Sequence, residues 1–301
     1  VRMGEFGVLE MIYENTPDVL SQLIRTMFIP KPGCRFIVAD FSQIEARVLA
    51  WMAGEQWRLD VFREGKDIYC TSASQMFHVP VEKHGINGEL RTTGKVAELA
   101  LGYGGGVGAM KSMGAIDKGL KEEELPDIIK QWRAASPAIT KFWWDVDRAA
   151  NKALDTGKMQ TAGRLKIGYY DHKLFICLPS GRKLAYIEPD KRLNSFNRME
   201  LTYMGVGKTR KWERIMTYGP KLVENCIQAI ARDILAEAML RVDAAGFDIV
   251  AHVHDEMIVE VPNGKSSVKE LCDMMAESPD WVDDKLPLRA EGYECEWYRK
   301  D

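Results

Sequence analysis

The chain has 301 residues, 46% of them hydrophobic, and a formal net charge of −3, enough for a sizeable core in about two structural units. No apolar run approaches the roughly 20 residues that cross a bilayer, and nothing at the start reads as a secretory signal, so no membrane partner is expected. The six cysteines stand far apart with no CxxC pair, which speaks against a zinc ribbon or a disulfide framework and fits a reducing, cytoplasmic setting.

Residue 1 is Val rather than Met, so the expectation is a trimmed initiator or a chain cut from something longer. An amphipathic stretch (Val19, Leu20, Leu23, Ile24, Met27) is broken by Pro30, Pro32 and Gly33. The apolar run Phe36-Ile37-Val38-Ala39 then reads as a buried strand ending at Asp40. Residues 55–157 read as mostly helical, punctuated by Pro80, Gly85, Gly88, Pro126, Pro137 and the Gly102–Gly108 cluster, which ends a helix. From about residue 159 short β-like runs appear at Tyr169-Tyr170, Leu174 to Cys177 and Leu184 to Ile187. A helical pattern follows from Lys221 to about Ala245, then two strand-like runs over Ile249 to Val261 that flank acidic residues. Charge is uneven along this path. Residues 158–221 hold 8 Lys and 6 Arg against 2 Asp and 3 Glu. Such a basic band attracts a polyanion locally even on an acidic chain; a solvated loop region has the same composition.

Three clusters carry chemistry. In Asp40-Phe41-Ser42-Gln43-Ile44-Glu45-Ala46-Arg47 a carboxylate stands at a strand tip just before a helix. Ser42 and Glu45 have the S-x-x-E spacing of a capping box, which alone accounts for Glu45. His254-Asp255-Glu256 lies between two apolar strands, as at a hairpin tip. Paired with Asp40 it gains meaning, because strand-tip carboxylates on one sheet hold two divalent cations about 3.5–4 Å apart for in-line phosphoryl displacement. Hard oxygen donors suit two Mg2+ ions rather than zinc. In the third cluster Arg91, Lys95, Leu99 and Tyr103 recur every four residues. On a helix they form one stripe about 18 Å long. Its cationic end is the N-terminal end, where free amides favour phosphate, and its other end is apolar and aromatic. A core-facing helix with two snorkelling cations has the same spacing. Gly207-Lys208-Thr209 lacks the upstream glycine of a phosphate-binding loop, and no D-x-E occurs to mark a proofreading exonuclease.

In this order the clusters resemble motifs A, B and C of family A DNA polymerases, the DNA polymerase I family, in its bacteriophage form. DFSQIEAR resembles DYSQIELR, RTTGKVAELALGYG resembles R-x3-K-x3-F-x3-YG, and VHDE resembles the palm hairpin. The resemblance implies an α+β right-hand polymerase fold, an antiparallel palm sheet with helical fingers and the thumb absent. Residues 1–54 would be the first part of the palm, 55–157 the fingers, and 158–301 the second part of the palm with the minor-groove helix. A thumb or exonuclease segment is expected upstream.

The resemblance also implies roles. Asp40 and Asp255 are expected to hold metal with the Phe41 carbonyl, and Glu256 to support them. Arg91 and Lys95 are expected to clamp a triphosphate, with Lys95 also an acid toward pyrophosphate. Leu99 stands where an aromatic usually meets the incoming sugar, which leaves nucleotide affinity open. Tyr103 and Gly104 resemble the templating-position hinge, and Glu45 the gate against a ribose 2′-OH. Gln43 is expected at the nucleotide; Arg47, Asn225, Gln228 and His254 are expected around the primer end. The implied activity is DNA-directed DNA synthesis from dNTPs on a primer–template, in a bacterial host's cytoplasm if phage-encoded. The alternatives are a weakly active primer–template-binding fragment or half of a split polymerase. A single-subunit RNA polymerase is disfavoured by Glu45.

Overall fold

The computed structural model describes residues 6–13, 15–194, 197–283 and 285–299. The chain divides into two compact units. The first comprises residues 1–42, 235–277 and 288–301, and the second residues 43–234 and 278–287.

The first unit opens with short helices α1 (Phe6–Ile12) and α2 (Thr16–Gln22) and a 3-10 turn at Ile24–Met27. Strand β1 (Cys34–Phe41) follows, where the apolar run predicts it. The chain returns to this unit in the last part of α10 (Gly219–Ala244), then β8 (Asp248–Val253), β9 (Glu256–Pro262), α11 (Val268–Ala276) and β10 (Ala290–Cys295). The four strands form an antiparallel sheet in the order β10-β1-β9-β8. Phe36, Val38, Ile258 and Cys295 pack with Tyr298 on one face, and α11 packs against β1 and β10. In β1 Phe36 to Ala39 are all buried while Asp40 is exposed, so the strand is anchored in the core and ends on a carboxylate.

The second unit holds α3 (Ile44–Ala53), α4 (Gln56–Arg63), α5 (Ile68–Phe77), α6 (Leu90–Leu101), α7 (Val107–Ser112), α8 (Leu125–Ala135) and α9 (Pro137–Thr156). A six-stranded antiparallel sheet follows in chain order: β2 (Gln160–Ala162), β3 (Leu165–Tyr170), β4 (Lys173–Cys177), β5 (Lys183–Leu193), β6 (Met199–Val206) and β7 (Trp212–Thr217). Sequence periodicity marks three of these runs. It misses β6 and β7, whose Gly205, Thr202 and charged residues dilute the apolar alternation. The first part of α10, through Ile234, completes this unit. The helical core is built around Trp51, Leu101, Trp132 and Ile139, with Trp132 and Trp143 stacked at 6.2 Å between ring centroids.

Among the described residues no helix is long and apolar enough to cross a membrane.

Candidate active site

In the first unit β8 and β9 form a hairpin whose last pair is Val253 with Glu256, leaving His254-Asp255 as the turn. His254 adopts φ 57° there. In the neighbouring pairing Asp40 of β1 stands opposite Glu256 of β9, and the Phe41 amide donates to the Asp255 carbonyl at 3.4 Å. The side chains of Asp40 and Asp255 are hydrogen-bonded to each other. Two residues far apart in sequence thus meet because β1 lies beside the hairpin in the sheet.

Electrostatics follow from that meeting. Burial first, then the charge and hydrogen bond of Asp255 and the charge of Glu256, push the Asp40 carboxyl up to about 7. Asp40 as a residue is exposed at the strand end, but its carboxylate faces the other two acids, and repulsion there is what a bound cation relieves. Glu256 leans away, its carboxylate accepting from the Tyr298 hydroxyl. His254 Nδ1 lies 2.8 Å from Asp255 Oδ1. Among the described residues no three His, Cys, Asp or Glu side chains converge as a closed metal cage. What is present is an open pair of hard carboxylates at adjacent strand ends, a donor set that suits a hard divalent cation.

The second unit carries the cationic stripe. On α6 Thr93, Gly94, Val96, Ala97, Ala100 and Leu101 are buried. Lys95 and Leu99 point outward, Leu99 being 51% exposed. The stripe is therefore the outer face, and a core-facing reading of it does not hold. The helix stops at Leu101, so Tyr103 lies in the following turn rather than on the helix. Its hydroxyl donates to Glu45 Oε2 at 2.8 Å. Burial and then the Glu45 charge raise the Tyr103 hydroxyl far above its ordinary range, so it stays a donor. Gly104 takes φ 75°, and a Cβ there would come 2.7 Å from the Pro220 ring, so only glycine fits this turn.

Glu45 corrects one expectation. The N-cap of α3 is Gln43 in the left-handed region at φ 55°, with no side-chain cap bond. The Ser42–Glu45 capping box does not form, because the backbone turns one residue too late for Ser42 to cap. That leaves the Glu45 carboxylate for Tyr103. Arg47 corrects another. Expected at the primer end, it is 4% exposed; its guanidinium donates to the Pro287 carbonyl at 2.8 Å and stacks on Phe62 at 4.4 Å. Facing inward on α3, it ties residues 278–287 to the helices.

Two residues escaped sequence reasoning. Asp67 caps α5 through the amides of Tyr69 and Cys70 and also accepts from Arg91 Nε at 2.8 Å. Burial alone would raise its carboxyl, but the bonds from Arg91, Cys70 and Tyr69 hold it below the usual carboxylate range. The Tyr69 ring lies under both cations, 5.3 Å from the Arg91 guanidinium and 5.9 Å from Lys95 Nζ. Its hydroxyl is hydrogen-bonded to the Gln43 side chain. The signal for Asp67 was present as an N-cap just before an apolar run, but a cap says nothing of a distant arginine. On α10 Gln228 is exposed, while the half-buried Asn225 donates to the Tyr186 hydroxyl at 3.0 Å. The site residues thus fall into an acidic group in the first unit and a cationic and aromatic group in the second.

Comparison with known proteins follows the same lines. The family model for DNA polymerase family A matches residues 15–170. The chain is 49% identical over 300 residues to the DNA polymerase of Bacillus phage SP02, covering 99% of this chain and 46% of that protein. It is 26% identical to DNA polymerase I of Geobacillus stearothermophilus over 98% of this chain and 30% of the relative. The chain therefore spans less than half the length of these relatives. Among solved structures, the POL domain of Pol1 from M. smegmatis, in complex with DNA primer–template and dNTP, is similar with a TM-score of 0.62 and 21% identity, over 92% of this chain and 42% of that one. That likeness places the mixed helices and antiparallel sheets in the polymerase fold. The family-model match over more than half of its length shows that this chain belongs to DNA polymerase family A.

Proposed function

We propose that the protein carries out template-directed DNA synthesis, joining a deoxynucleoside triphosphate to a primer 3′-hydroxyl with loss of pyrophosphate. The observation that carries this is the meeting of Asp40 and Asp255 at adjacent ends of one sheet. Asp40, Asp255 and the Phe41 carbonyl would hold two magnesium ions, whose chemistry there is neutralisation of charge on the reacting phosphate and the primer oxygen.

The chain's own residues do the rest by positioning. Arg91, fixed by Asp67 and Tyr69, offers a rigid guanidinium to phosphate oxygens. Lys95, exposed and without a carboxylate partner among the described residues, supplies a second cation and a proton for departing pyrophosphate. Leu99 offers an apolar surface to the sugar. Glu45, held by Tyr103, occupies the space a 2′-hydroxyl needs, and Tyr103 with Gly104 forms the hinge at the templating position. Gln228 and His254 contact the primer end. Residues 1–54 with 158–301 serve as the palm, and residues 55–157 as the fingers.

Primer extension tests this. The protein should add nucleotides in magnesium, and Asp40→Ala should lower the rate by at least two powers of ten, a loss of several kcal/mol at the transition state. Undiminished incorporation by Asp40→Ala would remove the assignment.

A further inference from the structure

Strand β7 pairs along its whole length with β6, from Leu201 with Thr217 to Val206 with Trp212. The pairing of β6 with β5 stops at Met204 with Ile187. Gly205 and Val206 therefore pair only with β7, and the end of the hairpin is a two-stranded arm beyond the sheet. β7 is the edge strand.

The arm does not carry the surface of a solvated loop. Val206 and Trp212 stand opposite each other, so they share a face, and they are 64% and 60% exposed. Met216, two pairs along on that face, is exposed as well. Between the strands Lys208, Arg210 and Lys211 are all exposed, and no carboxylate pairs with them among the described residues. Glu213, next to Trp212 in the strand, points to the opposite face and lies over Gly207. The turn is preformed. Gly207 N–H donates to the Lys211 carbonyl and Arg210 N–H to the Gly207 carbonyl, both at 2.9 Å, with Arg210 at φ 59°. At the base Arg214 donates to the Glu188 carbonyl and the Thr202 hydroxyl, tying the arm to β5 and β6.

An exposed indole on the strand that follows three exposed cations, none paired with a carboxylate among the described residues, is the combination that holds an unpaired nucleic-acid strand: the cations follow phosphates and the ring stacks on a base. In a duplex the bases already stack on each other and have no free face for Trp212. We infer that the β6–β7 hairpin is a single-stranded DNA-binding arm, separate from the acidic pair, which grips unpaired DNA through Trp212, Lys208, Arg210 and Lys211. The inference rests on the reading of the protein as a DNA polymerase, since it needs DNA as the polyanion.

The test is fluorescence anisotropy with a labelled oligothymidylate and, separately, a blunt duplex, titrated with the whole chain across a range of salt. Combined Lys208→Ala, Arg210→Ala and Lys211→Ala should reduce the log–log salt slope on the single strand by about 2, at roughly 0.7 for each phosphate no longer neutralised. Trp212→Ala should weaken single-strand binding about tenfold and Trp212→Phe should restore it, because stacking needs a ring rather than a tryptophan. These side chains are exposed, so melting temperatures should not change. Equal slope and affinity in all variants, or a weakening confined to the blunt duplex, would overturn the arm. A wild-type chain that binds no DNA removes both this inference and the proposed function. A wild-type chain that binds the single strand but adds no nucleotide removes only the latter, and undiminished incorporation by Asp40→Ala removes only the metal-site assignment.

Discussion

The Tyr103 hydroxyl donates a 2.8 Å hydrogen bond to the Glu45 carboxylate, joining the turn after α6 to the first turn of α3. That bond holds the carboxylate in one place. Replacing Glu45 with Ala should empty the volume it fills and free Tyr103. Single-nucleotide insertion kinetics should then show the preference for dNTP over rNTP falling by about tenfold or more. An unchanged preference would show that Glu45 is not the gate.

Beneath the outward face of α6, Glu98 is the hub of a buried network. Its carboxylate accepts from Ser72 at 2.6 Å, from Trp132 at 2.8 Å and from Arg58, which also donates to Ser136 at 2.8 Å. Both partners of the ion pair are almost completely buried. Glu98→Gln leaves Arg58 uncompensated and should cost about 3–5 kcal/mol in urea denaturation, with little dependence on salt.

Gly94 is buried where α6 packs on α5. A Cβ there would come 2.1 Å from the Tyr69 carbonyl oxygen and 3.2 Å from Ala73. Gly94→Ala should therefore push α5 from α6 and lower stability by about 1–3 kcal/mol. Because α5 carries Asp67 and Tyr69, nucleotide KM should rise with it; a variant with native stability and KM would refute the close approach.

Asp283 accepts from Trp51 Nε1 at 2.6 Å and from Arg164 at 2.5 Å. Burial alone would raise its carboxyl, but the bonds from Arg164 and Trp51 hold it below its ordinary value. A carboxyl lowered by folding adds stability above its unfolded value of about 3.9, and that stability is lost as pH falls through the folded value. Asp283→Asn should flatten this acid limb and leave the curve above pH 5 parallel to wild type, as read by thermal melts across pH.

With Asp40 and Asp255 in hydrogen-bond contact, magnesium should stabilise the protein even without DNA. At ten times its Kd the gain is about 1.4 kcal/mol. Asp40→Asn should melt higher than wild type in chelator, since it removes the repulsion, and should lose the response to magnesium. An equal response in wild type and variant would place the cation elsewhere.

Local pattern made much of this legible. Phe36 to Ala39 is a strand, the helix expected from Lys221 begins at Gly219, and Ile249 to Val261 is the hairpin that carries Asp255. Each is marked locally, by an unbroken apolar run, a helical period, or paired apolar runs flanking acidic residues. What stayed hidden depends on partners remote in sequence. Asp67 looks like a cap until Arg91 arrives, and Arg47 reads as a free cation until Pro287 and Phe62 enclose it. The misplaced capping box shows the limit of a spacing rule, since one left-handed residue at Gln43 shifts the start of α3.

Strand β1 lies between β9 and β10, both drawn from the far end of the sequence. During synthesis Phe36-Ile37-Val38-Ala39 therefore leaves the ribosome with neither edge covered and waits until residues 256–295 have followed. A stalled nascent chain would present a bare apolar strand to its neighbours, an invitation to aggregate that makes early chaperone protection valuable.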